Sequence, residues 1–479
     1  MGVSITLNYK TIYLGAYNTM EDALQARHNA EENFLENIQL KDPLLKMMLT
    51  DKKIIEEVIN RAVEKGIDKA LCRKCTTPYF FLGLLKLIRE RPTDIAQFWR
   101  DASALAGVEP RYFGYPHKIE IPKKDSNEMR ICKVEEDVAR IVCAIMTTCL
   151  FKLLPQMVHK SCKSYQKGIG TGKAVLECSS NVMKVKGNIV GGKVDAHHFF
   201  DDVSRPVVMS AYDKAEELLG VHDTDSFYIL RLMYNDDHIW TLDNNLIEEW
   251  SGVRQGNPIG SWLADVVLYD LDEFMSKKYP YYCRYSDDAV FITDKVDEAI
   301  ADFEAGLNKI GVQLNKKKTE ILRKDKFFKF LGFSIRGAEI SLSKSRIKSF
   351  QKEIEHLTIK DRKNTLTKAI NKVNHFLYKG EYSWATSVLP IINIKEDINE
   401  LNDFVMDCLR AVATKKTKVG GLGYEVGKKV GVITRGRGKN VTSNRQKTDK
   451  ELVNYKTITC MRNALLTSRE VFNALALSM

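Results

Sequence analysis

Apolar residues recur at every third or fourth position over much of the first hundred residues, a spacing typical of amphipathic helices. The clearest examples are residues 21–38 and 54–67. Residues 135–154 are almost continuously apolar, and their number predicts a long buried helix. After Ser343 the helical spacing returns and continues to about Ala413, with many lysines on the polar faces. The pattern therefore predicts helical regions on both sides of the middle of the chain.

The middle of the chain contains shorter segments with the two-residue alternation of β-strands. Residues 117–122 alternate, residues 124–127 have turn-forming composition, and the alternation resumes at Met129, which predicts a β-hairpin with basic residues on both arms. Four further segments follow: strand-like residues 187–200 and 281–291, and helical residues 207–219 and 262–275. Strands that alternate with helices in this order favour an α+β fold over an all-α fold.

The chain of 479 residues is long enough for about three domains, and its composition is that of a globular protein. Its 73 Lys and Arg residues against 62 Asp and Glu residues give a formal net charge of +11. Most of this excess lies in residues 414–450, a Gly-rich segment with 11 basic and two acidic residues. We expect this segment to contact a polyanion such as nucleic acid; a solvated linker is the alternative. Residues 451–479 predict one amphipathic helix.

Several other classes of protein are disfavoured by the sequence. The nearest candidate for a membrane span, residues 138–154, is interrupted by Arg140 and Lys152, so no span is expected. The N-terminus shows no basic region followed by an apolar stretch, so no secretory signal is expected. Ten cysteines are too sparse for a disulfide scaffold in a chain of this length. We therefore expect a cytoplasmic protein with reduced thiols and no membrane partner.

Two groups of carboxylates directly follow apolar, strand-like segments. Asp195 directly follows the segment 188–194, and Asp287 and Asp288 lie within residues 284–291. Adjacent aspartates between β-forming residues are locally unfavourable, because the two charges repel and Asp is rare in strands. Divalent cations such as Mg²⁺ relieve this repulsion, and two such ions can clamp the attacking and leaving oxygens of a phosphoryl transfer. For an isolated Asp-Asp pair, a polar turn is the alternative.

The carboxylates are part of an ordered series of short motifs. In chain order these are Asp195 with Phe199 and Phe200, residues 254–261 (RQGNPIGS), residues 285–288 (YSDD), residues 314–319 (LNKKKT) and residues 330–333 (FLGF). In this order the motifs resemble the palm of a reverse transcriptase. Upstream, residues 121–130 and 164–168 (SYQKG) resemble the fingers motifs of bacterial enzymes of the group II intron type. The resemblance covers residues 112–333 and, more loosely, the helices up to Ala413.

The resemblance implies a right-hand polymerase of the α+β class, in which helices pack on an antiparallel palm sheet. It divides the chain into five parts: a mainly helical N-terminal extension over residues 1–110, fingers over 111–190, a palm over 191–335, a helical thumb over 336–413, and the basic Gly-rich segment with a C-terminal helix over 414–479.

The resemblance also implies roles for the carboxylates. Asp195, Asp287 and Asp288 are expected to bind two Mg²⁺ ions and to catalyse attack of a primer 3′-hydroxyl on the α-phosphate of a nucleotide. The ring of Phe200 is expected to stack beneath the sugar and to leave no room for a 2′-hydroxyl, which selects deoxynucleotides and disfavours an RNA polymerase. Core packing is the alternative for Phe199 and Phe200.

The remaining substrate-binding residues are also implied by the resemblance. Those expected at the incoming nucleotide are Lys123, Arg130, Gln255, Gly256 and Lys318, and those expected to position the primer end are Leu331 and Gly332. Lys123 and Arg130 would reach the triphosphate from opposite arms of the hairpin, where a planar guanidinium suits phosphate. Glycine at 256 lets the backbone come close to the substrate. Lys318 would neutralise or protonate the pyrophosphate; a solvated turn is the alternative for this lysine.

The lineage is inferred from features that we do not find in the sequence. We see no HNH-like nuclease, no integrase and no RNase H-like carboxylate set, and Ser286 replaces the alanine that is usual in bacterial YxDD boxes. The chain then looks like the defence-associated bacterial enzymes of the "unknown group", which are related to abortive-infection reverse transcriptases. This implies a noncoding RNA template, a DNA primer and product, dNTPs, anti-phage activity and homo-oligomerisation. The alternatives are an intron maturase relative and a non-catalytic RNA-binding scaffold.

A second, shorter resemblance concerns the N-terminus. Residues 13–34 resemble the second half of the DNA-binding module of plant ethylene-response factors. Too little chain precedes them to supply the sheet of that module, so the alternative is a capped helix after a single strand.

Overall fold

The computed structural model describes residues 2–7, 10–36, 40–123, 129–166, 168–361, 363–379 and 383–413. Helices and strands are mixed along this part of the chain, which confirms the α+β class that the sequence predicts. The basic Gly-rich segment and the C-terminal helix predicted for residues 414–479 lie outside the described residues.

The strands are β1 (Gly2–Leu7), β2 (Lys10–Ala16), β3 (His117–Pro122), β4 (Met129–Val134), β5 (Ile189–His197), β6 (His238–Trp240), β7 (Leu246–Glu248), β8 (Tyr281–Tyr285), β9 (Asp288–Ile292), β10 (Gln313–Leu314), β11 (Glu320–Arg323), β12 (Phe328–Phe330), β13 (Phe333–Arg336) and β14 (Glu339–Leu342). The helices are α1 (Met20–Glu36), α2 (Pro43–Thr50), α3 (Lys52–Glu64), α4 (Lys69–Lys74), α5 (Pro78–Arg89), α6 (Ile95–Leu105), α7 (Asp137–Leu153), α8 (Thr171–Lys184), α9 (Phe199–Asp202), α10 (Arg205–Leu218), α11 (Asp225–Asn235), α12 (Pro258–Val266), α13 (Tyr269–Lys278), α14 (Val296–Lys309), α15 (Lys344–Leu357), α16 (Leu366–Tyr378), α17 (Trp384–Ser387) and α18 (Lys395–Ala413).

The N-terminal part begins with a β-hairpin. β1 and β2 pair antiparallel, from Gly2 opposite Ala16 to Leu7 opposite Lys10, and α1 follows directly. Two paired strands therefore precede α1, where the alternative from the sequence had one strand.

Helices α2 to α6 each begin at a residue that caps the helix. Side-chain oxygens of Asp42, Asp51, Asp68, Thr77 and Asp94 accept hydrogen bonds from backbone N–H groups of the first turn. These N–H groups have no partner within the helix, so the caps satisfy them. The apolar faces of these helices join α7 in one core, which confirms the long buried helix that the sequence predicts there.

A four-stranded sheet has the order β4-β3-β6-β7. β3 and β4 pair antiparallel, with Ile121 opposite Arg130, which confirms the predicted β-hairpin. β6 joins β3 through His117 and Trp240, and β7 completes the sheet as the antiparallel partner of β6.

The central sheet has the order β10-β5-β9-β8, and β11 pairs with another part of β5. β8 and β9 form a hairpin in which Tyr285 is opposite Asp288, so Ser286 and Asp287 form the turn. The strand predicted over residues 187–200 is confirmed over Ile189–His197 only, because Phe199–Asp202 form the short helix α9.

The two faces of the central sheet belong to different apolar cores. Val194 and Phe291 lie in a core with α1 to α7, whereas Val190 and Ile292 lie in a core with α15 to α18. For the neighbours Phe291 and Ile292 this division follows from the two-residue period of a strand, which sends successive side chains to opposite faces. The sheet is therefore covered on both sides by helices.

The helix predicted over residues 262–275 is wrong in one respect, because α12 and α13 are separate helices. The guanidinium of Arg284 donates hydrogen bonds to the carbonyls of Ala264 and Asp265, at 3.2 and 3.0 Å. Carbonyls at the end of a helix lack partners within it. The helix thus ends where a buried side chain from β8 binds its last turn.

Three further strands, β12 to β14, form a small antiparallel sheet that precedes α15 to α18. The helical pattern predicted after Ser343 is confirmed, and the hydroxyl of Ser343 caps α15 by accepting a hydrogen bond from the N–H of Arg346. In the part of the chain that the structure describes, no helix is both long and apolar enough to cross a membrane.

Candidate active site

The central sheet brings the three predicted carboxylates together. β5 and β9 pair in a register that places Asp195 directly opposite Asp288. Asp287 lies in the adjacent turn, and its carbonyl accepts a hydrogen bond from the N–H of Ala196 at 3.2 Å. Residues paired across antiparallel strands have Cα atoms about 4.5–5.5 Å apart. The three carboxylates therefore form one acidic group at the end of the sheet.

The acidic group is largely buried, and its charges repel one another. Burial raises the pKa of Asp287 to about 6, and the neighbouring charges of Asp288 and Asp195 act in the same direction. Burial also raises the pKa of Asp288, with a further contribution from Asp195. Lys193 opposes this effect, because its Nζ lies 3.6 Å from Oδ1 of Asp288. The site thus holds more negative charge than Lys193 can neutralise, which favours binding of a cation.

Lys318 supplies a second positive charge to the group. Its Nζ donates hydrogen bonds to both carboxylate oxygens of Asp195, at 2.8 and 3.0 Å, and Asn315 Nδ2 donates to Oδ1 at 3.1 Å. Burial acts against the charged form of Lys318, but the hydrogen bond and charge of Asp195 raise its pKa overall. The sequence assigned Lys318 to the pyrophosphate, whereas the structure places it on a carboxylate of the acidic group. Its side chain is 62 % exposed, so it has room to move away.

The donor atoms of the site suit a hard divalent cation. Carboxylate oxygens are the ligands that Mg²⁺ takes from proteins, and three of them meet at this end of the sheet. Among the described residues, however, no group of three or more His, Cys, Asp and Glu side chains has the arrangement of a formed metal site. At Asp195, the ammonium of Lys318 binds both oxygens of the carboxylate, where a metal ion would otherwise bind. The residues fit a metal once Lys318 releases Asp195.

The turn that carries Asp287 has a left-handed residue. Ser286 has φ +57°, a conformation that is uncommon for residues other than glycine. Its N–H donates to the hydroxyl oxygen of Ser164 at 3.0 Å, and its hydroxyl lies 3.3 Å from the hydroxyl of Tyr165. Its carbonyl accepts a hydrogen bond from Arg284 at 2.9 Å. Both backbone groups of the strained residue are thus fixed by side chains.

Sequence reasoning missed the buried polar network beneath this turn. Arg284 is fully buried and pairs with Asp272 at 2.6 Å. Ser164 and Cys162 donate to Oδ1 of Asp265, at 2.6 and 3.1 Å. One signal was available, because Arg284 interrupts the apolar strand YYCRY and a charged residue is seldom buried without partners. The network connects the turn to the loop before α8 and to α12 and α13.

The two predicted aromatic residues, Phe199 and Phe200, differ in how far their side chains are buried. Phe199 is buried in the core, and its ring meets that of Phe200 edge to face at 5.4 Å. Phe200 is half-buried. The N–H of Val253 donates to the carbonyl of Phe200 at 2.8 Å, so the segment before Gln255 holds this residue in place. Phe199 is therefore a core residue, whereas the side chain of Phe200 is only partly packed in the core.

Gln255 and Gly256 lie against strand β4. The carbonyl of Gln255 accepts a hydrogen bond from the N–H of Lys133 at 2.6 Å. Gly256 has φ +115°, and a β-carbon there would lie 2.8 Å from the carbonyl oxygen of Lys133. Only glycine adopts this conformation easily and fits this space. The predicted nucleotide-binding segment is therefore docked on β4 next to Phe200.

Lys123 and Arg130 lie at the end of the hairpin. Lys123 follows the last residue of β3, and Arg130 pairs with Ile121 from the other arm. Both side chains are exposed. Within the described part of the chain, Arg130 makes no hydrogen bond or ion pair with the three carboxylates. The structure thus places the two residues on opposite arms, as expected, but does not bring Arg130 to the acidic group.

Leu331 and Gly332 form the two-residue turn between β12 and β13. Both have positive φ, +49° and +80°, as the favoured two-residue hairpin turns require. Arg346 Nη1 donates to the carbonyl of Leu331 at 3.3 Å, and its guanidinium stacks on the ring of Phe333 at 4.5 Å. Sequence reasoning missed Arg346, which supports the turn from α15.

The central sheet thus has paired carboxylates at its end, and the half-buried Phe200 follows β5 along the chain. Residues 121–335 match the family model described as "Reverse transcriptase (RNA-dependent DNA polymerase)". These residues are less than half of the chain, and they carry a reverse transcriptase domain, a domain of RNA-directed DNA polymerases, which are nucleotidyltransferases. Enzymes of this family use divalent metal ions.

Solved structures with a similar backbone include three telomerase structures. The structure of telomerase from Candida albicans with the TWJ fragment of telomeric RNA has 12 % identity and a TM-score of 0.37, and the match covers 66 % of this chain and 64 % of that chain. Apo telomerase from Candida tropicalis truncated from its C-terminal domain has 13 % identity and a TM-score of 0.36, covering 49 % and 56 %. Apo telomerase from Candida tropicalis has 12 % identity and a TM-score of 0.39, covering 87 % and 92 %. A search of curated proteins found no match.

Proposed function

We propose that this enzyme synthesises cDNA on an associated noncoding RNA, with Asp195, Asp287 and Asp288 binding two Mg²⁺ ions. The observation that carries the proposal is the register of β5 and β9, which puts Asp195 opposite Asp288 with Asp287 in the next turn. The raised pKa values of Asp287 and Asp288 add support, because a buried acidic group gains most from a bound cation. An enzyme of this class copies RNA into DNA from dNTPs.

The three carboxylates would hold the metal ions beside the primer end. Divalent ions bound there would lower the pKa of the primer 3′-hydroxyl and neutralise charge on the α-phosphate. The chain contributes position, because Ser164 and Arg284 fix the backbone of Ser286 and thereby the two aspartates that follow it. Fixed geometry of this kind supplies much of the acceleration in phosphoryl transfer.

The nucleotide would lie between the fingers and the palm. Lys123 and Arg130 would bind its triphosphate from the two arms of the hairpin, and Gln255 with Gly256 would border its base and template. Phe200 would exclude a 2′-hydroxyl from beneath the sugar. The contact between Gln255 and β4 supports this arrangement, because it joins the two walls of the cleft.

Lys318 would act on the leaving group after release from Asp195. In the structure its ammonium binds both carboxylate oxygens of Asp195. An incoming triphosphate offers the ammonium a second anionic partner within reach of an exposed side chain. Lys318 would then neutralise or protonate pyrophosphate, while Leu331 and Gly332 position the primer end.

We further propose the division into a helical extension (1–110), fingers (111–190), palm (191–335), thumb (336–413) and basic C-terminal part (414–479). The segment 414–450, with 11 basic and two acidic residues, suits contact with the RNA. The motifs at residues 121–130 and 164–168 favour the bacterial group II intron-like lineage, in a defence-associated enzyme that acts against phage in the cytoplasm. Homo-oligomers are proposed on the same basis.

The test of the catalytic assignment is primer extension on poly(rA)/oligo(dT) with Mg²⁺. Asp287→Asn together with Asp288→Asn is expected to abolish extension and to leave RNA binding within a few-fold of wild type. Asp270→Asn is the control, since its carboxylate is 93 % exposed and forms an ion pair with Lys214, outside the acidic group. Full activity in the double variant would refute the metal assignment.

The biological setting is tested by sequencing the nucleic acid that co-purifies with the wild-type protein and with the double variant. The proposal predicts one defined noncoding RNA in both samples and its cDNA only in the wild type. An intron RNA would instead favour the maturase, and RNA without cDNA in both samples would favour the scaffold.

A further inference from the structure

Lys133 is a buried lysine that the sequence did not single out. It lies on β4 and is only 4 % exposed. Lysine is almost never buried unless its charge is paired. Its partners therefore identify the segments that this residue holds together.

The ammonium group of Lys133 pairs with two carboxylates. Its Nζ donates to Oδ1 of Asp201 at 2.8 Å and lies 3.5 Å from Oε1 of Glu249. Glu249 is also bound by Lys118, at 2.6 Å through Oε2. Among the described residues, Asp201 has no second ion-pair partner. Loss of Lys133 would thus release Asp201 but would leave Glu249 with Lys118.

Asp201 directly follows Phe200, the proposed sugar gate. On its other side, Phe200 is held by the N–H of Val253, which donates to its carbonyl at 2.8 Å. Gly252 packs on the same segment so closely that a β-carbon there would lie 2.1 Å from the carbonyl oxygen of Phe200. The main chain around Phe200 is therefore fixed at two points. Val253 and Gly252 contact the carbonyl of Phe200, and Lys133 binds the side chain of the next residue, Asp201.

The backbone of Lys133 contacts the other proposed nucleotide-binding segment. Its N–H donates to Gln255 at 2.6 Å, and its carbonyl meets Gly256. One residue of the fingers thus contacts both palm segments that would border the nucleotide. The backbone contact survives replacement of the side chain, so side-chain variants test only the contact with Asp201.

We propose that Lys133 is a positioning residue that sets the selectivity for deoxynucleotides, because its ion pair with Asp201 fixes the ring of Phe200 beneath the sugar. This inference rests on the proposed function, since Phe200 selects sugars only in a polymerase. Exclusion of one hydroxyl depends on close contact, and a displacement of about 1 Å in an active site changes rates by up to about a hundredfold. A released Asp201 segment would therefore admit ribonucleotides.

The experiment measures kcat/KM for dTTP and for UTP on poly(rA)/oligo(dT) with Mg²⁺, and the selectivity is their ratio. Asp201→Ala and Lys133→Met are each expected to lower the ratio about tenfold. The double variant is expected to lower it no further, because both substitutions remove the same ion pair. Asp201→Glu keeps a carboxylate and is expected to recover most of the ratio. Phe200→Ala gives the reference value of this ratio for an enzyme that lacks the aromatic ring at position 200.

Asp202→Ala is the matched control, because it removes a charge from the next residue of α9. Within the described residues, Asp202 makes no hydrogen bond with Lys133, so its ratio should stay at the wild-type value. The melting temperature of every variant is also measured. If Lys133→Met does not fold, Asp201→Ala still tests the proposal, because Asp201 is partly exposed.

Three results would overturn the role of Lys133: a wild-type ratio in an active Asp201→Ala variant, an equal loss in Asp202→Ala, or additive losses in the double variant. An unchanged ratio in Phe200→Ala would overturn the gate and this role with it. Absence of dTTP incorporation by the wild type would instead overturn the proposed function.

Discussion

The hydroxyl oxygen of Ser164 accepts a hydrogen bond from the backbone N–H of Ser286 at 3.0 Å, across 122 positions of the chain. Ser286 adopts the left-handed conformation, so its N–H cannot find a partner in the β-ladder. Ser164 in turn donates to the buried carboxylate of Asp265 at 2.6 Å. A side chain outside the catalytic hairpin thus fixes the turn that carries Asp287.

Ser164→Ala removes this acceptor and leaves a buried N–H group without a partner. We expect a loss of about 1–3 kcal/mol in the free energy of unfolding and a fall in primer extension of about ten- to a hundredfold, because the aspartates move. Ser179→Ala is the control, since it also removes a buried hydroxyl, one that donates to Gly337 at 2.8 Å away from the site. Equal activity losses in both variants would contradict a specific role of Ser164.

Arg284→Met tests the buried ion pair beneath the turn. The substitution leaves Asp272 buried without its cation, and breaking a buried pair in this way costs about 3–5 kcal/mol. Arg336→Met is the comparison, because Arg336 pairs with Glu339 at 2.6 Å on the surface, where an ion pair contributes little to stability. Urea denaturation of the two variants measures the difference. A loss of similar size in both would show that burial of Arg284 is not what stabilises the network.

Lys318→Met separates two effects of one side chain. Because Lys318 binds both oxygens of Asp195, its loss should strengthen Mn²⁺ binding to the enzyme several-fold in the absence of nucleotide, as measured by electron paramagnetic resonance. The same variant should lower kcat about a hundredfold if Lys318 assists the leaving group. Lys317→Met, from the adjacent exposed lysine, should change neither quantity. Weaker Mn²⁺ binding in Lys318→Met would contradict competition for Asp195.

The buried carboxyl of Asp265 should make the free energy of unfolding depend on pH. Burial raises the pKa of Asp265 to about 6, against the lowering effect of Arg284. Because this pKa lies above that of unfolded Asp, near 3.9, the folded state binds the proton more tightly, and this carboxyl lowers stability as the pH rises through about 6. Asp265→Asn removes the titration and keeps an acceptor for Ser164. The stability of the wild type relative to this variant should therefore fall by about 1–3 kcal/mol between pH 4.5 and pH 7.5.

Chemical denaturation of both proteins at each pH measures this difference, and all other titrating groups cancel in the comparison. A difference that stays constant, or that increases with pH, would show that Asp265 is not protonated in the folded protein near neutral pH.

Local pattern was sufficient for the elements that carry the site. The strand-like composition of residues 187–200 predicts β5, and the turn composition before Met129 predicts the hairpin of β3 and β4. The pairing of Asp195 with Asp288 is a long-range contact, so it required the resemblance to a polymerase palm. The break between α12 and α13 was missed because its cause, Arg284, lies on a strand that follows both helices.

The contacts that the side chains of the site make were harder to predict than the residues that form the site. Lys318 was recognised, but its contact with Asp195 spans 123 positions and has no signature in either segment. Lys133 was missed because a single lysine in the alternating strand β4 looks like a residue of the solvent face. Its burial follows only from the approach of α9 and Gln255, which tertiary packing decides.

The two-sided packing of the central sheet limits how far the enzyme can be shortened. The core on one side of the sheet also contains α1 to α6, which precede the region of the family match, and the core on the other side contains α15 to α18, which follow it. A fragment of residues 121–335 would lack these helices and expose the apolar side chains that they cover in both cores, so we expect it to aggregate.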